Sequence, residues 1–181
     1  MKKQLALILS IFFKLFYTLR YGNRVSFGKK VIVNHQFKFK GRGRVEIGDD
    51  VNLWTHKEPN EFFTYSPQAV IKVGKGCRIN GASIQCKTSV TIGEDCLIGS
   101  CIIIDTDFHS IHAEKRNDPA FVKSKPIVIQ DRVWLAGQSA ILKGVTVGEE
   151  AVVGFRAVVT KDVAAKTVVA GNPAQVVKTL E

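Results

Sequence analysis

The residues of this chain that are best suited to chemistry lie between Asp105 and His112. His109 stands there beside two carboxylates, and an imidazole with the ordinary pKa of about 6.5 can accept a proton at neutral pH and release it again. Because side chains alternate along a strand, Asp105, Asp107 and His109 are expected on one side. A carboxylate there could orient the imidazole or bind hydroxyl groups, although two solvated exterior carboxylates would give the same pattern. The cluster predicts general-base chemistry centred on His109.

Metal chemistry and thiol chemistry are both disfavoured by the spacing of the residues that would support them. A zinc site built on this cluster would need convergent histidines, and His35 and His56 are far away in sequence. The cysteines have no C-x-x-C spacing and stand 9, 10 and 5 residues apart at Cys77, Cys86, Cys96 and Cys101. We therefore predict no metal, and we interpret the cysteines as buried thiols of a reducing compartment.

A six-residue repeat must position the reactive cluster. Aliphatic residues head successive hexapeptides at Ile92, Ile98, Ile104, Ile129, Leu135, Ile141, Val147, Val153 and Val159. This period fits neither an α-helix nor a simple strand alternation, so each hexapeptide is expected to be a short strand followed by a turn. Stacked coils of such units would bury the heads in one column, which predicts an all-β chain folded as a parallel β-helix.

The repeat is interrupted between Ile104 and Ile129 by a polar stretch that cannot stack in the column. It is expected to project as a loop at about residues 110–126, with His109 at its root. A second interruption, at residues 54–69, carries Trp54 and three further aromatic residues. Those rings could stack on sugars or form a small satellite core beneath a loop.

Composition and charge limit the class of protein. The 181 residues are 45% hydrophobic, which provides for one domain with a real core. The net charge of +10 arises in residues 1–44, which hold eleven Lys or Arg and no acidic residue. Because no nucleic-acid-binding motif accompanies these cations, no nucleic-acid partner is predicted.

Residues 1–22 form a separate element ahead of the domain at residues 23–181. Their polar residues make one stripe on a helix, Lys3, Ser10, Lys14 and Thr18, and nearly all others are apolar. Lys14 interrupts the apolar run too early for a membrane span, and no signal-peptidase site follows. The helix is expected either to lie peripherally in an anionic membrane surface or to dock on its own domain or a neighbouring subunit.

The ordered set of repeats resembles the hexapeptide-repeat acyltransferases, and most closely the branch with galactoside and maltose acetyltransferases and polysaccharide O-acetyltransferases. The resemblance rests on residues 90–99 (VTIGEDCLIG), 105–112 (DTDFHSIH), 126–135 (PIVIQDRVWL), 160–163 (TKDV) and 169–174 (VAGNPA). It implies a left-handed parallel β-helix with three hexapeptides per coil, a short N-terminal helix and a protruding loop.

The resemblance also implies an activity. It suggests direct transfer of an acetyl group from acetyl-CoA to a sugar or glycan hydroxyl, without a metal, in a cytoplasmic homotrimer whose sites lie between subunits. Surface-polysaccharide assembly is the implied pathway. N-acetylation of a nucleotide amino sugar and acetylation of serine are alternatives within the family, and a non-catalytic β-helix scaffold is the alternative outside it.

Site residues follow from the same resemblance. The implied catalytic residues are His109, Asp107 and Trp134, of which Trp134 shares the repeat phase of His109 and is expected to face the same groove. The implied cofactor contacts are Trp134, Gly137, Gln138, Gly154, Phe155, Thr160, Lys161 and Lys178, and the implied substrate contacts are Asn80, Asp105, Asp107 and His112. The chain departs from the family at Phe155-Arg156, where two small residues are usual.

Overall fold

The backbone of the computed structural model, which describes residues 3–181, winds into a parallel β-solenoid of about six turns. Its eighteen short strands are distributed over three six-stranded sheets, which we call faces A, B and C. Successive strands of most turns pass from A to B to C, so the faces enclose one triangular core. This architecture confirms the parallel β-helix that the repeat predicted.

Each face stacks one strand from each turn. Face A contains β1 (Val25–Phe27), β3 (Arg44–Ile47), β5 (Val70–Val73), β8 (Ser89–Ile92), β11 (Ile127–Ile129) and β14 (Thr146–Val147). Face B contains β6 (Arg78–Ile79), β9 (Leu97–Ile98), β12 (Trp134–Leu135), β15 (Val152–Val153), β17 (Thr167–Ala170) and β18 (Gln175–Thr179). Face C contains β2 (Phe37–Gly41), β4 (Asn60–Thr64), β7 (Ser83–Cys86), β10 (Ile102–Ile104), β13 (Ala140–Leu142) and β16 (Val158–Val159). Neighbouring strands pair in parallel, except that β18 runs antiparallel to β17.

The repeat heads stack directly on one another. Ile129 of β11 pairs with Ile92 of β8 on one side and with Val147 of β14 on the other, and all three side chains are buried. Each fully buried aliphatic side chain contributes about 1.5–3 kcal/mol of transfer free energy. The column of heads is therefore the main source of stability.

The predicted head at Ile104 is wrong by one residue. Ile103 is the buried residue and pairs with Ile141, whereas Ile102 is half exposed. Three residues form the corner before β10, but four form the corresponding corner before β13, where Gln138 takes a positive φ of 58°. The shorter corner shifts the inward position by one residue.

The aromatic segment at residues 54–69 interrupts the solenoid less than its sequence suggested. Asn60–Thr64 is strand β4, and Phe62 is completely buried in the main core. The buried Asn60 amide fixes this turn, since its oxygen accepts from the N–H of Gly81 at 2.8 Å and its nitrogen donates to the carbonyl of Leu53 at 2.9 Å. The interruption is thus confined to residues 54–59, which form no strand before β4 begins.

Helix α1 (Lys3–Tyr21) packs on the first turn of the solenoid. The Oγ of Ser10 accepts a hydrogen bond from the N–H of Val33 at 2.9 Å, and the hydroxyl of Tyr17 donates to the carbonyl of Phe37 at 2.8 Å. Burial raises the pKa of Tyr17 to about 12, so this hydroxyl remains a donor at neutral pH. Of the expected polar stripe, Ser10 is buried against the domain whereas Thr18 is exposed, so the stripe as a whole does not face the domain. Residues 1 and 2 and the side chain of Lys3 lie outside the described part of the chain. By length and composition alone, the segment from Gln4 to Arg24 could cross a membrane, so Lys14 does not exclude a span.

All four cysteines are buried and free. Burial raises the pKa of the thiol of Cys101 to about 12, and burial together with the charge of Asp105 does the same for Cys86. A raised pKa keeps a thiol protonated throughout the neutral range, and the thiolate is the reactive form.

We predict that the four cysteines of the native protein resist alkylation by iodoacetamide at pH 8. With a pKa of about 12, the thiolate fraction of Cys86 and Cys101 at that pH is on the order of one in ten thousand, and burial denies the reagent access to all four thiols. Mass spectrometry should find all four labelled only after unfolding in guanidinium chloride. Rapid labelling of native Cys101 would contradict the prediction and would restore a thiol nucleophile as an alternative.

Candidate active site

His109 lies five residues after the end of β10, in the long excursion by which the chain leaves face C before it returns at β11. The preceding residue, Phe108, has a positive φ of 59°, and the N–H of His109 donates to the carbonyl of Asp107 at 2.7 Å. These two features define a tight three-residue turn, a conformation that bulky residues adopt rarely and at an energetic cost. Positive φ alone does not mark the site, since eight other non-glycine residues of the described chain also have it, including Gln138 at a solenoid corner.

Contacts on two sides hold the turn in place. The Phe108 ring meets the Tyr65 ring edge-on, with 4.8 Å between centroids, and the Tyr65 hydroxyl donates to the side-chain oxygen of Gln85. Burial raises the pKa of Tyr65, which favours the protonated donor. On the other side, the Asp107 carboxylate forms an ion pair with the Lys143 ammonium at 2.6 Å. The turn that carries His109 is thereby tied to β7 and to the end of β13.

The imidazole of His109 is exposed, and none of the hydrogen bonds found within residues 3–181 involves it. Asp107 therefore does not orient the ring through its carboxylate, because that group is engaged by Lys143. Asp107 instead acts on the backbone, where its carbonyl accepts the N–H of His109. The ring nitrogens remain available to a substrate.

Asp105 does not share a side with Asp107 and His109. Its side chain is completely buried, and its carboxylate accepts from the N–H of Lys87 at 2.7 Å and from both the N–H and the hydroxyl of Thr88 at 2.6 and 2.7 Å. The strand ends at Ile104, so the alternation expected from the sequence does not continue through this residue. Asp105 is a structural group that fixes the neighbouring turn, and its predicted contact with substrate is not supported.

His112 lies in the excursion, where its ring meets the Phe121 ring edge-on at 6.4 Å. Asp107 and His112 both line a small cavity of about 190 Å³, together with Phe121 and Lys123. The structure thus brings two of the predicted substrate contacts, Asp107 and His112, to one concave surface. Among the described residues, no group of three or more His, Cys, Asp or Glu side chains is placed to hold a metal ion.

Trp134 lies on a different face from His109. It is the first residue of β12 on face B and is 47% exposed, between Leu97 of β9 and Val152 of β15. His109 follows β10 of face C. The expectation that both residues face one groove of the same chain is therefore wrong, because equal phase in the repeat does not specify the same face.

A cluster of four residues lies at the corner between faces B and C, namely Gly137, Gln138, Phe155 and Arg156. The guanidinium of Arg156 donates to the side-chain oxygen of Gln138 at 2.7 Å and lies 5.1 Å from the centroid of the exposed Phe155 ring. A methyl group on Gly137 would lie 3.7 Å from that ring. Phe155-Arg156, the departure from the family pattern, thus packs around the corner of the preceding turn.

Of the two backbone N–H groups at this corner, those of Gly137 and Gln138, one is available to a ligand. The N–H of Gln138 donates to the carbonyl of Ser100 at 2.5 Å, so it cannot also bind an oxyanion. The N–H of Gly137 takes part in none of the hydrogen bonds found within residues 3–181. Of the two predicted cofactor contacts, Gly137 is the one with a free backbone donor.

The other predicted cofactor residues occupy several places. Gly154 directly follows β15, and a Cβ atom there would lie 3.2 Å from the Cβ of Ala170, so the close packing of the turns favours glycine. Thr160 and Lys161 follow β16 at the corner leading away from face C, and Lys178 lies on β18 of face B. All three are exposed. Within a single chain, the predicted cofactor residues therefore do not lie along one edge of the solenoid.

A larger cavity of about 430 Å³ opens on face B near α1. Asn80 lines it, and so do residues that the sequence did not connect with it, including Lys30, Asn52, Trp54, His56 and Arg78. Asn52 accepts a hydrogen bond from the N–H of Trp54 at 2.9 Å, which fixes the aromatic residue at the rim. Parallel bridges align Ile32, Asn52 and Arg78 on successive turns. The stacking register of the turns is therefore the feature from which this site could have been predicted.

The chain is similar to acetyltransferases of known sequence and of known structure. No family model matches the chain. The galactoside O-acetyltransferase of Escherichia coli strain K12 is 33% identical over 128 residues, which are 70% of this chain and 61% of that protein. The chain thus spans less than two thirds of this relative, and it spans 38% to 44% of the next curated relatives.

Solved structures extend the match over most of the chain. The polysialic acid O-acetyltransferase OatWY is 27% identical, with 86% of this chain and 74% of that chain covered at a TM-score of 0.71. The hexapeptide-repeat acetyltransferase VCA0836 from Vibrio cholerae, in complex with acetyl coenzyme A, is 26% identical, with 93% and 77% covered at a TM-score of 0.64. With its hexapeptide-headed solenoid and these relatives, the chain belongs to the hexapeptide-repeat acetyltransferase family.

Proposed function

We propose that the protein is an acetyl-CoA-dependent O-acetyltransferase that acts on a hydroxyl group of a sugar or glycan, with His109 as general base. The observation that carries the proposal is the exposed imidazole of His109, which has no partner within the described chain and stands on a constrained turn. The names of the relatives, a galactoside and a polysialic acid O-acetyltransferase, support the acceptor class. The complex of VCA0836 with acetyl coenzyme A supports the donor.

In this mechanism His109 supplies the one function that the reactants lack. A sugar hydroxyl is a poor nucleophile at neutral pH, whereas a thioester carbonyl is a good electrophile. The imidazole takes the hydroxyl proton while the oxygen forms a bond to the carbonyl carbon. The tetrahedral oxyanion collapses with cleavage of the carbon–sulfur bond, and the imidazolium returns the proton to the sulfur of CoA. The free N–H of Gly137 is the candidate donor to the oxyanion.

The positions of His109 and Trp134 favour an active site shared between two copies of the chain. One chain holds the base beside face C and the candidate cofactor surface on face B. A closed ring of three copies with head-to-tail contacts would place the His109 region of one copy against face B of the next. Trp134 and Phe155 would then flank the pantetheine arm, and Arg156, Lys161 and Lys178 are cations suited to the phosphates.

The cavity near α1 is our candidate for binding the acceptor. It lies on the same face as Trp134, and Arg78 and Trp134 are separated by two strand spacings of about 4.8 Å through Leu97. Trp54 offers a ring for stacking on a sugar, and Asn52 and Asn80 offer amide groups for hydroxyls. The separation of about 10 Å suits an acceptor longer than one sugar. We place the reaction in the cytoplasm, on the synthesis of a surface polysaccharide.

We predict that His109→Ala lowers turnover by about 100-fold or more, which is the usual contribution of a general base. Acetyl-CoA binding, measured by calorimetry, should stay close to that of the wild type because the ring is exposed and does not support the fold. Turnover is measured as release of free CoA thiol with a panel of sugars and oligosaccharides. His35→Ala, which changes an exposed histidine beside α1, is the matched control and should keep full activity.

Two outcomes would contradict this proposal. Full activity of His109→Ala together with inactivity of Cys101→Ala would replace direct transfer with a thiol-based mechanism. Absence of thiol release with every acceptor, together with absence of acetyl-CoA binding, would favour a non-catalytic scaffold.

A shared site makes a second prediction about mixed assemblies. His109→Ala and Trp134→Glu should each be inactive, since the first removes the base and the second places a charge on the proposed cofactor surface. In trimers assembled at random from equal amounts of both, about one site in four combines an intact base with an intact face B. Thiol release should therefore recover to about a quarter of the wild-type rate after co-refolding. No recovery, with mixed trimers verified by two affinity tags, would place each site within one chain.

A further inference from the structure

The outer side of α1 is an exposed apolar surface. Seven side chains that point away from the solenoid are between 50% and 78% exposed, namely Leu5, Ile8, Ile11, Phe12, Leu15, Phe16 and Leu19. We call this set the outer face of α1. No described residue covers it, and a contiguous apolar surface of this kind marks a site of interaction.

The opposite side of α1 determines how the helix can lie. Ser10 and Tyr17 are buried against the first turn of the solenoid, and both make hydrogen bonds to its backbone. A helix that crossed a bilayer would move away from Val33 and Phe37 and would leave these polar groups without their partners, at a cost of about 1–3 kcal/mol for each. The docked helix can instead lie flat, with the domain on one side and the outer face on the other.

The part of the solenoid next to α1 is positively charged. The first turn of the solenoid, which α1 caps, exposes the cations Lys29, Lys30, Lys38 and Lys40. Only Lys38 of these forms a salt bridge, to Glu61, and residues 1–44 contain no acidic side chain. Two copies that met through their outer faces would bring these cations together, so self-association is disfavoured. A partner with dense negative charge at its surface and an apolar interior matches both the apolar outer face of α1 and these cations.

We infer that the outer face of α1 and the cations around it form a docking surface for an anionic lipid bilayer. The helix lies parallel to the membrane plane, its apolar side chains enter the boundary of the acyl region, and the lysines contact anionic headgroups. This inference is independent of the catalytic proposal, although it would hold the enzyme beside a glycan built on a lipid carrier. Several copies in one assembly would strengthen weak individual contacts.

Co-sedimentation of the full chain with vesicles tests this inference. Binding is expected to vesicles of phosphatidylcholine with 30% phosphatidylglycerol, and to be much weaker with phosphatidylcholine alone or at high salt. The triple variant Phe12→Gln, Leu15→Gln, Leu19→Gln, confined to exposed positions, should reduce binding at least tenfold. The variant Lys29→Gln, Lys40→Gln should lose about fivefold per charge, the equivalent of about 1 kcal/mol for a cation at an anionic surface.

The matched control is Val176→Gln, Val177→Gln, which removes two exposed apolar side chains from β18 at the other end of the solenoid. It should bind vesicles like the wild type, and the outer-face and lysine variants should keep their activity on a soluble acceptor. Equal binding of the outer-face variant, or binding indifferent to lipid charge, would overturn the inference. Resistance of the wild type to extraction at alkaline pH would indicate a membrane span, and a lower oligomeric mass of the outer-face variant would indicate a contact between copies.

Discussion

Everything in this structure depends on the parallel stacking of one turn on the next. Each inward residue must fill the same cross-section as the residue above and below it, as Ile92, Ile129 and Val147 do. Interiors tolerate little change in volume, so the core admits aliphatic side chains at these positions and excludes polar ones. Chemistry is therefore confined to corners, outward strand positions and excursions from the solenoid. Asn80 lies at a corner, Trp134 at an outward strand position and His109 in an excursion.

Structural features that follow from the six-residue period could be predicted from the sequence. Features that depend on local departures from that period could not. Heads such as Ile129 were identified because six residues return the chain to the core. Ile104 was misplaced because one corner lacks a residue, and Asp105 because its strand ends just before it. The docking of Ser10 could not be read from helical periodicity, since its partner Val33 is 23 residues away. The cavity on face B was missed for a similar reason, because stacking unites residues that share no local motif.

The site region combines a rigid support with an unpaired reactive group. Face C and the Asp107–Lys143 ion pair hold the turn, while the imidazole itself has no partner among residues 3–181. A base that were already hydrogen-bonded within the chain would have to exchange partners before accepting a proton. The arrangement therefore combines a fixed backbone with an available side chain, which is the arrangement that preorganisation requires.

The reversal of β18 against β17 limits the growth of the structure. A parallel solenoid presents open strand edges at both ends, and such edges can in principle recruit further chains into fibres. At the carboxyl end, the longest terminal strand runs antiparallel, so an incoming copy cannot continue the parallel register on that face. At the amino end, α1 lies over the first turn. Polymerisation along the solenoid axis is thus opposed at both ends, which leaves lateral contacts between faces as the route to assembly.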